Sequence, residues 1–319
     1  MEELEYKLAD GSLFYCRQGQ ACVITRYQGL AGTVTVPALL PAKRENESES
    51  VPVKEIAKKA FLSKKYLRSV TLPDTIEEVG DWAFAYCDAL QEVSFSGRQI
   101  RFGKAVFMEC PALRCIRFPS LEDDKDARMT WNSANINCDG AGALLAAAVT
   151  QMDSPYLLNA QEVGSKEWLD KWDARMLTIL HAPDSEGYSK QILCGEEDYE
   201  STDYETYLEN SRKKKVRLAL LRLLYPIGLG DMQEAELKEY LLAHTMGGAS
   251  HETWDVVHRE YGDRREFYEL FATLGCLTRE NAPSIIATIS EEYPEMKAYF
   301  LKYQADHFDA NDFFGGLEL

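Results

Sequence analysis

Leu67-Arg-Ser-Val70-Thr-Leu72-Pro73, then Ile76, Val79-Gly80, Ala83-Phe84, Cys87 and Leu90, is the stretch that decides the fold. Val70 and Leu72 flank Thr71, which is strand alternation. Pro73 ends the strand, because proline cannot donate to a ladder. Ala83-Phe84 then drives a ring into the space between layers. Each landmark recurs at 23 residues: Phe61, Phe84 and Phe107; Leu67, Leu90 and Leu113; Val70, Val93 and Ile116; Leu72, Phe95 and Phe118. A fixed period of this length marks a solenoid of stacked units. Each buried side chain is worth ~1.5–3 kcal/mol. A single unit has nothing to bury them against, and stacking supplies the partner.

The pattern resembles the BspA-type leucine-rich repeat, whose units share an Ala-Phe box, a following Cys and a Leu-x-x-Val-x-Leu-Pro strand. The matching residues are Ala60-Phe61, Ala83-Phe84-Ala85-Tyr86-Cys87, Val106-Phe107-Met108-Glu109-Cys110 and the strands at 67–73, 90–96 and 113–119. Ser96 replaces one strand-ending proline, and Val106 replaces one alanine. An earlier unit fits through Val34-Thr35-Val36-Pro37, Val53, Ile56 and Phe61, with its surplus in a polar loop at 41–50. The resemblance covers residues 13–120. It implies a short α/β leucine-rich-repeat solenoid that binds other proteins. Members are often exported surface proteins that bind host proteins.

A solenoid end needs a cap. Residues 5–27 fit one, with a hairpin turn at Asp10-Gly11 and a second at Gln18-Gly19. In such a ladder the polar strand positions face outward on the concave side. These are Arg68, Ser69 and Thr71; Gln91, Glu92 and Ser94; and Arg114, Cys115 and Arg117. Read as a partner-binding strip, they offer Arg114 and Arg117 as anchors for an acidic group. Read blandly, they are solvated strand residues.

The net charge of −17 is uneven. Residues 1–120 hold 16 Lys+Arg and 15 Asp+Glu, while 121–319 hold 19 and 37. An acidic half repels phosphate backbones and anionic membrane surfaces, so nucleic acid and membrane are not expected partners. No apolar run approaches the ~20 residues of a membrane helix. The acidic start Met1-Glu2-Glu3-Leu4-Glu5 is no signal peptide, so the expected compartment is the cytoplasm. In that compartment the eight cysteines are expected as reduced thiols. Cys87 and Cys110 share one slot of the repeat and are read as small buried hydrophobes.

We expect the repeat domain over 1–120, a charged and turn-rich linker over 121–138, and an all-α helical domain over 139–319. Ser165 caps a helix with Trp168, Trp172, Met176 and Ile179 on one face. Asp231 with Glu234 resembles a capping box, and Asp263 with Glu266 opens another helix that Gly275 closes. Ser250/Thr278, Val257/Ile285 and Tyr261/Ile289 lie 28 apart, loosely resembling helix-pair arrays of the ankyrin or HEAT kind.

Three features of this half are candidate sites. The acidic run Cys194 to Glu200 matches no calcium-loop spacing, so it is expected to be solvated. The basic run Arg212-Lys-Lys-Lys215 is expected to pair with that acidic run. His251, Asp255 and His258 share a helix face with metal-capable spacing, yet Trp254, Val257 and Tyr261 claim the buried side. Phe313-Phe314-Gly315-Gly316 reads as a frayed end. With no phosphate loop, nucleophile elbow or acid/base pair, no catalytic residue, cofactor or metal is expected. The leading reading is a non-catalytic scaffold for a protein partner. The alternatives are an exported adhesin-like protein and an enzyme or metal-binding protein with its site in the helical half.

Overall fold

A computed structural model describes residues 2–42, 50–119, 140–189, 203–246, 251–289 and 291–309. Its compact units are residues 1–177 and 178–319. The division falls inside a helix that the sequence reading gave to the second domain. The expected linker at 121–138 lies outside the described residues, as do Cys194 to Glu200, Ser250 and Phe313 to Gly316.

The strands are β1 Glu3–Leu8, β2 Gly11–Gln18, β3 Ala21–Gly29, β4 Thr33–Thr35, β5 Leu39–Pro41, β6 Ser50–Ile56, β7 Ser69–Leu72, β8 Glu78–Val79, β9 Glu92–Phe95, β10 Arg101–Phe102 and β11 Cys115–Arg117. One sheet runs β4-β7-β9-β11, all parallel, with Val34, Val70, Val93 and Ile116 aligned and buried. The other runs β1-β2-β3-β6-β8-β10, with β5 beside β6. Ile56, Val79 and Phe102 form its aligned apolar row. Parallel pairing at a constant offset is what the 23-residue spacing demands: equal chain lengths return each residue to the same slot one coil later.

The first strands form the expected cap. β1, β2 and β3 are an antiparallel meander, and β3 pairs in parallel with β6. The first turn is Ala9-Asp10, one residue earlier than expected. The second is Gly19-Gln20, with Gly19 at φ +64°, a conformation glycine adopts without strain.

Between the sheets lies a column of rings. Tyr27, Phe61, Phe84 and Phe107 stack in sequence, with centroids 5.4, 4.9 and 5.7 Å apart. Phe95 stacks on Phe118 at 4.8 Å in a second column, with Phe102 edge-on to both. Tyr27 was not anticipated. It belongs to the cap and lies outside the 23-residue period, yet its N–H donates to Ala60 as a coil residue would.

The turns hold the column in place through backbone bonds from each coil to the next. Lys59, Phe61 and Ser63 donate to the carbonyls of Asp81, Ala83 and Ala85, at 2.7–3.0 Å. Trp82, Phe84 and Tyr86 donate to Lys104, Val106 and Met108, at 2.8–3.0 Å. The outer donors of each trio, Lys59 and Ser63, then Trp82 and Tyr86, have φ between 54° and 63°. A left-handed backbone costs a residue with a Cβ about 1–2 kcal/mol. It turns alternate N–H groups along the stacking direction, and the bonds so made offset the strain. Gly80 and Gly103 let successive coils touch, since a Cβ on either would come within 2.6 Å of a backbone nitrogen in the previous coil.

Two helices follow the ladder: α1 Gly140–Thr150, buried nearly all round, packs against β11, and α2 Lys166–His181 contains the division between the units. Ser165 accepts from the Trp168 N–H as expected of a cap. Trp168 and Trp172 are fully buried, and their Nε1 groups donate to Leu157 and Leu144. The guanidinium of Arg98, in the repeat ladder, donates to the carbonyls of Ala160 and Val163. These bonds bind the start of the helical half to the ladder.

The second unit holds α3 Tyr204–Leu224, α4 Asp231–Ala243, α5 Glu252–Asp255, a π turn Val256–Glu260, α6 Arg265–Thr273, α7 Ala282–Thr288 and α8 Pro294–Gln304. α4 is capped one position earlier than expected, with the Gly230 N–H donating to the Gln233 side chain. Trp254, Phe271 and Phe300 meet in its core. Among the described residues no helix is long and apolar enough to cross a membrane.

The ring column sets a clear stability expectation. Phe84→Ala removes the central ring and should cost ~3–5 kcal/mol in urea unfolding. A loss below ~1 kcal/mol would contradict its place between two stacked neighbours.

Candidate functional site

The strand row nominated from sequence does come together. Thr33, Ser69, Glu92 and Cys115 align across the β4-β7-β9-β11 sheet, as do Thr35, Thr71, Ser94 and Arg117. Both rows alternate with the buried valines, as a strand's period of two requires. Ser69, Thr71, Glu92, Ser94 and Arg117 are half-buried. Arg68, Gln91 and Arg114 precede the strands at the same slot and are exposed. Their coils are tied directly: Gln91 and Glu92 donate to the Arg68 carbonyl, and Arg114 and Cys115 donate to that of Gln91.

Two of the nominated residues behave differently. Cys115, expected outward with a free thiol, is 3% exposed and disulfide-bonded. It lies on the edge strand that α1 covers. Arg117, expected as a free anchor, pairs with Glu92 at 3.2 Å, and Ser94 also donates to Glu92 at 2.8 Å. Neighbouring strands lie close enough for a long side chain to reach the next coil. The exposed cations of the strip are therefore Arg68 and Arg114.

The opposite sheet carries its own charged row. Lys54 pairs with Glu77 at 2.6 Å, and Arg101 pairs with Glu78 at 2.9 Å. Burial, then the neighbouring Glu78, pushes the Glu55 carboxyl upward.

Cys87 and Cys110 are buried thiols with a defined task. Their Sγ atoms donate to the carbonyls of Phe61 and Phe84, each at 3.1 Å. Each thiol thus satisfies a box carbonyl of the preceding coil, a bond that alanine could not make. Burial is the main cause that pushes these thiols up, to about 11 and about 12.

In the helical unit, the basic run finds acids from other elements. Arg212 pairs with Glu252 and, at 3.8 Å, with Asp184. Lys213 pairs with Glu209 and Asp255, and Lys215, nearly buried, bonds Asp184 and the Ala182 carbonyl at 2.6 Å each. These partners come from other elements, while the acidic run Cys194 to Glu200 that the sequence suggested lies outside the described residues. Arg217 adds a two-pronged contact with Glu260 at 2.6 and 3.1 Å.

The trio His251, Asp255 and His258 does not converge. His251 is exposed, Asp255 pairs with Lys213 and Arg259, and His258 stacks on Trp254 with centroids 5.3 Å apart. Burial and then Arg259 hold the His258 imidazole below its usual range. Among the described residues, no three His, Cys, Asp or Glu side chains are placed to hold a metal ion.

Residues 47–136 match the description BspA type leucine rich repeat region, in 6 copies. This stretch is a BspA-type repeat region. Solved structures of bacterial leucine-rich repeat proteins are similar to part of this chain. A leucine rich cell surface protein of Faecalibacterium prausnitzii is 24% identical over 37% of this chain and 33% of its own, with a TM-score of 0.30. The leucine-rich repeat protein of T. pallidum is 28% identical over 34% of this chain and 47% of its own, with a TM-score of 0.29. One from Bacteroides capillosus is 19% identical over 36% of this chain and 99% of its own, with a TM-score of 0.28. The chain thus spans less than half the length of the first two. No curated protein matches it.

The BspA-type cysteines carry a chemical expectation. Alkylation of Cys87 and Cys110 at pH 8 should be at least about a hundredfold slower in the folded protein than in urea, because the thiolate is the reactive form. Their raised values also predict that stability, full while thiols are protonated, falls as pH rises from the ordinary thiol range towards about 11. Equal labelling rates in both states, read by mass spectrometry, would contradict the buried bond.

Proposed function

We propose that this protein is a non-catalytic interaction module that holds a protein partner on the outer face of its repeat ladder. The observation that carries this reading is the exposed column of Arg68, Gln91 and Arg114, repeated at one slot of three consecutive coils. Beside it run Thr71 and Ser94, half-buried and polar. A rigid backbone ladder holds these groups at a fixed spacing, so little ordering entropy is lost on binding. Two guanidinium groups suit carboxylates on a partner. The Glu92–Arg117 pair is internally balanced and serves as a polar flank.

Other readings have less support. A net charge of −17 opposes nucleic acid and anionic membranes. The basic run of the helical unit is neutralised by its own acids. That unit is read as a second interaction array. Val257, Ile285, Tyr261 and Ile289, the pairs at 28-residue offset, are all buried, as stacked helix pairs require.

The test is quantitative cross-linking in extracts of the source cell, comparing wild type with Arg68→Glu/Arg114→Glu. Loss of about tenfold or more in one reproducible partner set is expected, a difference of roughly 1.4 kcal/mol. Arg101→Glu, on the other sheet, should leave that set intact. Capture unchanged by the double reversal removes the strip as the binding face.

A further inference from the structure

A step interrupts the outer face near the cap. Thr33, Ser69, Glu92 and Cys115 face one another across the sheet, and three residues back the same register sets Leu30, Tyr66, Ala89 and Ala112 in line. The Gly32 carbonyl accepts from the Arg68 and Ser69 N–H groups at 2.7 and 3.0 Å, which ties the loop of Leu30 to that of Tyr66. Leu30 and Tyr66 are 75% and 65% exposed, whereas Ala89 and Ala112 are half-buried. The column is therefore bulky and apolar in its first two places and small in the next two. Two residues further along the chain stand Arg68, Gln91 and Arg114, so the step adjoins the exposed cations. The chain around it, residues 27–36 and 56–72, is described throughout.

The surroundings reverse the sign of the chain. Residues 56–73 hold Lys58, Lys59, Lys64, Lys65 and Arg68 but no Asp or Glu, and residues 11–44 hold no Asp or Glu either. Lys58 and Lys59 lie over the Trp82 ring, and Lys64 over Tyr27. Lys65 and Arg68 are exposed and have no acidic partner among the described residues. Acids stand at the margin: Asp10, whose carbonyl lies against Gly29, and Asp88, beside Ala89. In a protein of net charge −17 this is a basic island. A single exposed apolar side chain is an ordinary surface feature. Two in register on a rigid ladder, with cations at their rim, have the make-up of an interface centre, where tyrosine and arginine carry much of the binding energy.

We propose that the step anchors an acidic segment of a partner polypeptide by one large apolar side chain. The inference rests on the reading of the outer face as the partner-binding face, and names what that face selects. Neighbouring strands lie ~4.8 Å apart, so a side chain laid over Ala89 meets the flank of Tyr66. Leu30 extends the apolar surface on the cap side. Carboxylates on either side of that residue reach Arg68 and Lys65, where a guanidinium and an ammonium lack acids of their own. A long polyanion is a poorer fit, because the whole protein repels it while a short acidic segment carries few charges. The apolar contact gives the segment its register, and the cations give it its sign.

Selection from a library of random short peptides on the immobilised full chain tests it, followed by fluorescence anisotropy with the enriched peptides. These should be net acidic and share one aromatic or large aliphatic residue. Leu30→Ser/Tyr66→Ser should weaken their binding by about tenfold or more while leaving the urea midpoint unchanged. Tyr66→Phe, which keeps the ring, should bind as wild type does. If the double variant does not fold, Leu30→Ser and Tyr66→Ser are measured singly, each expected to weaken binding by about threefold or more. Peptides lost on Arg68→Glu/Arg114→Glu but retained by the serine variants would leave the outer face standing and overturn the anchor. Peptides indifferent to both sets of changes overturn it too, as does enrichment of basic or wholly polar peptides, or of none. A single-stranded oligonucleotide that binds more tightly than the peptides would assign the island to nucleic acid and overturn the proposal. A concentration-dependent dimer abolished by the serine changes would assign the step to a second copy, with the same result.

Discussion

The structure rests on the backbone bonds that run from each turn to the next coil. They carry two demands at once. Alternate residues must take a left-handed conformation, and the residue between them must bury an aromatic ring. Neither demand is favourable in an isolated unit. Strain of about 1–2 kcal/mol per left-handed residue is tolerated because each such residue gains a bond, and each ring gains a neighbour. Everything else in the ladder follows: close contact at Gly80 and Gly103, valines aligned across the sheet, and thiols that satisfy the ring carbonyls.

That framework makes the outer face readable as a ruler. Side chains leave it at intervals set by the backbone, and the chemistry at each interval is local. At one slot the chain presents Arg68, Gln91 and Arg114 to solvent. Three residues further along, Arg117 pairs with Glu92 within the sheet. Two arginines three residues apart thus differ in role because one reaches a carboxylate on the adjacent strand. The helical unit applies the same logic: its basic run looks available in sequence, but Asp184, Glu209, Glu252 and Asp255 surround it.

Much of the ladder was legible because equal spacing is a one-dimensional signal. Phe61, Phe84 and Phe107 announce a stack, and alternation around Thr71 separates buried from outward positions. Tyr27 was illegible because its place in the column comes through a meander of different length. Cys115 had the right register for an outward residue, yet a helix begun 25 residues later packs on its strand. The recurrent left-handed residues were hidden as well. Lys59, Ser63, Trp82, Tyr86, Ala105 and Glu109 share a backbone geometry but no side-chain type, so no residue pattern marks them.

The sequence by itself determined the period, the repeat strands, the Phe61, Phe84 and Phe107 slot and the repeat family, since all of these depend on which residue types recur at a constant interval. Tertiary structure alone decided which outward side chains stay exposed and which acids answer the basic run. Those outcomes depend on partners brought near by packing from distant parts of the chain. Spacing along one strand carries no information about what another element will cover.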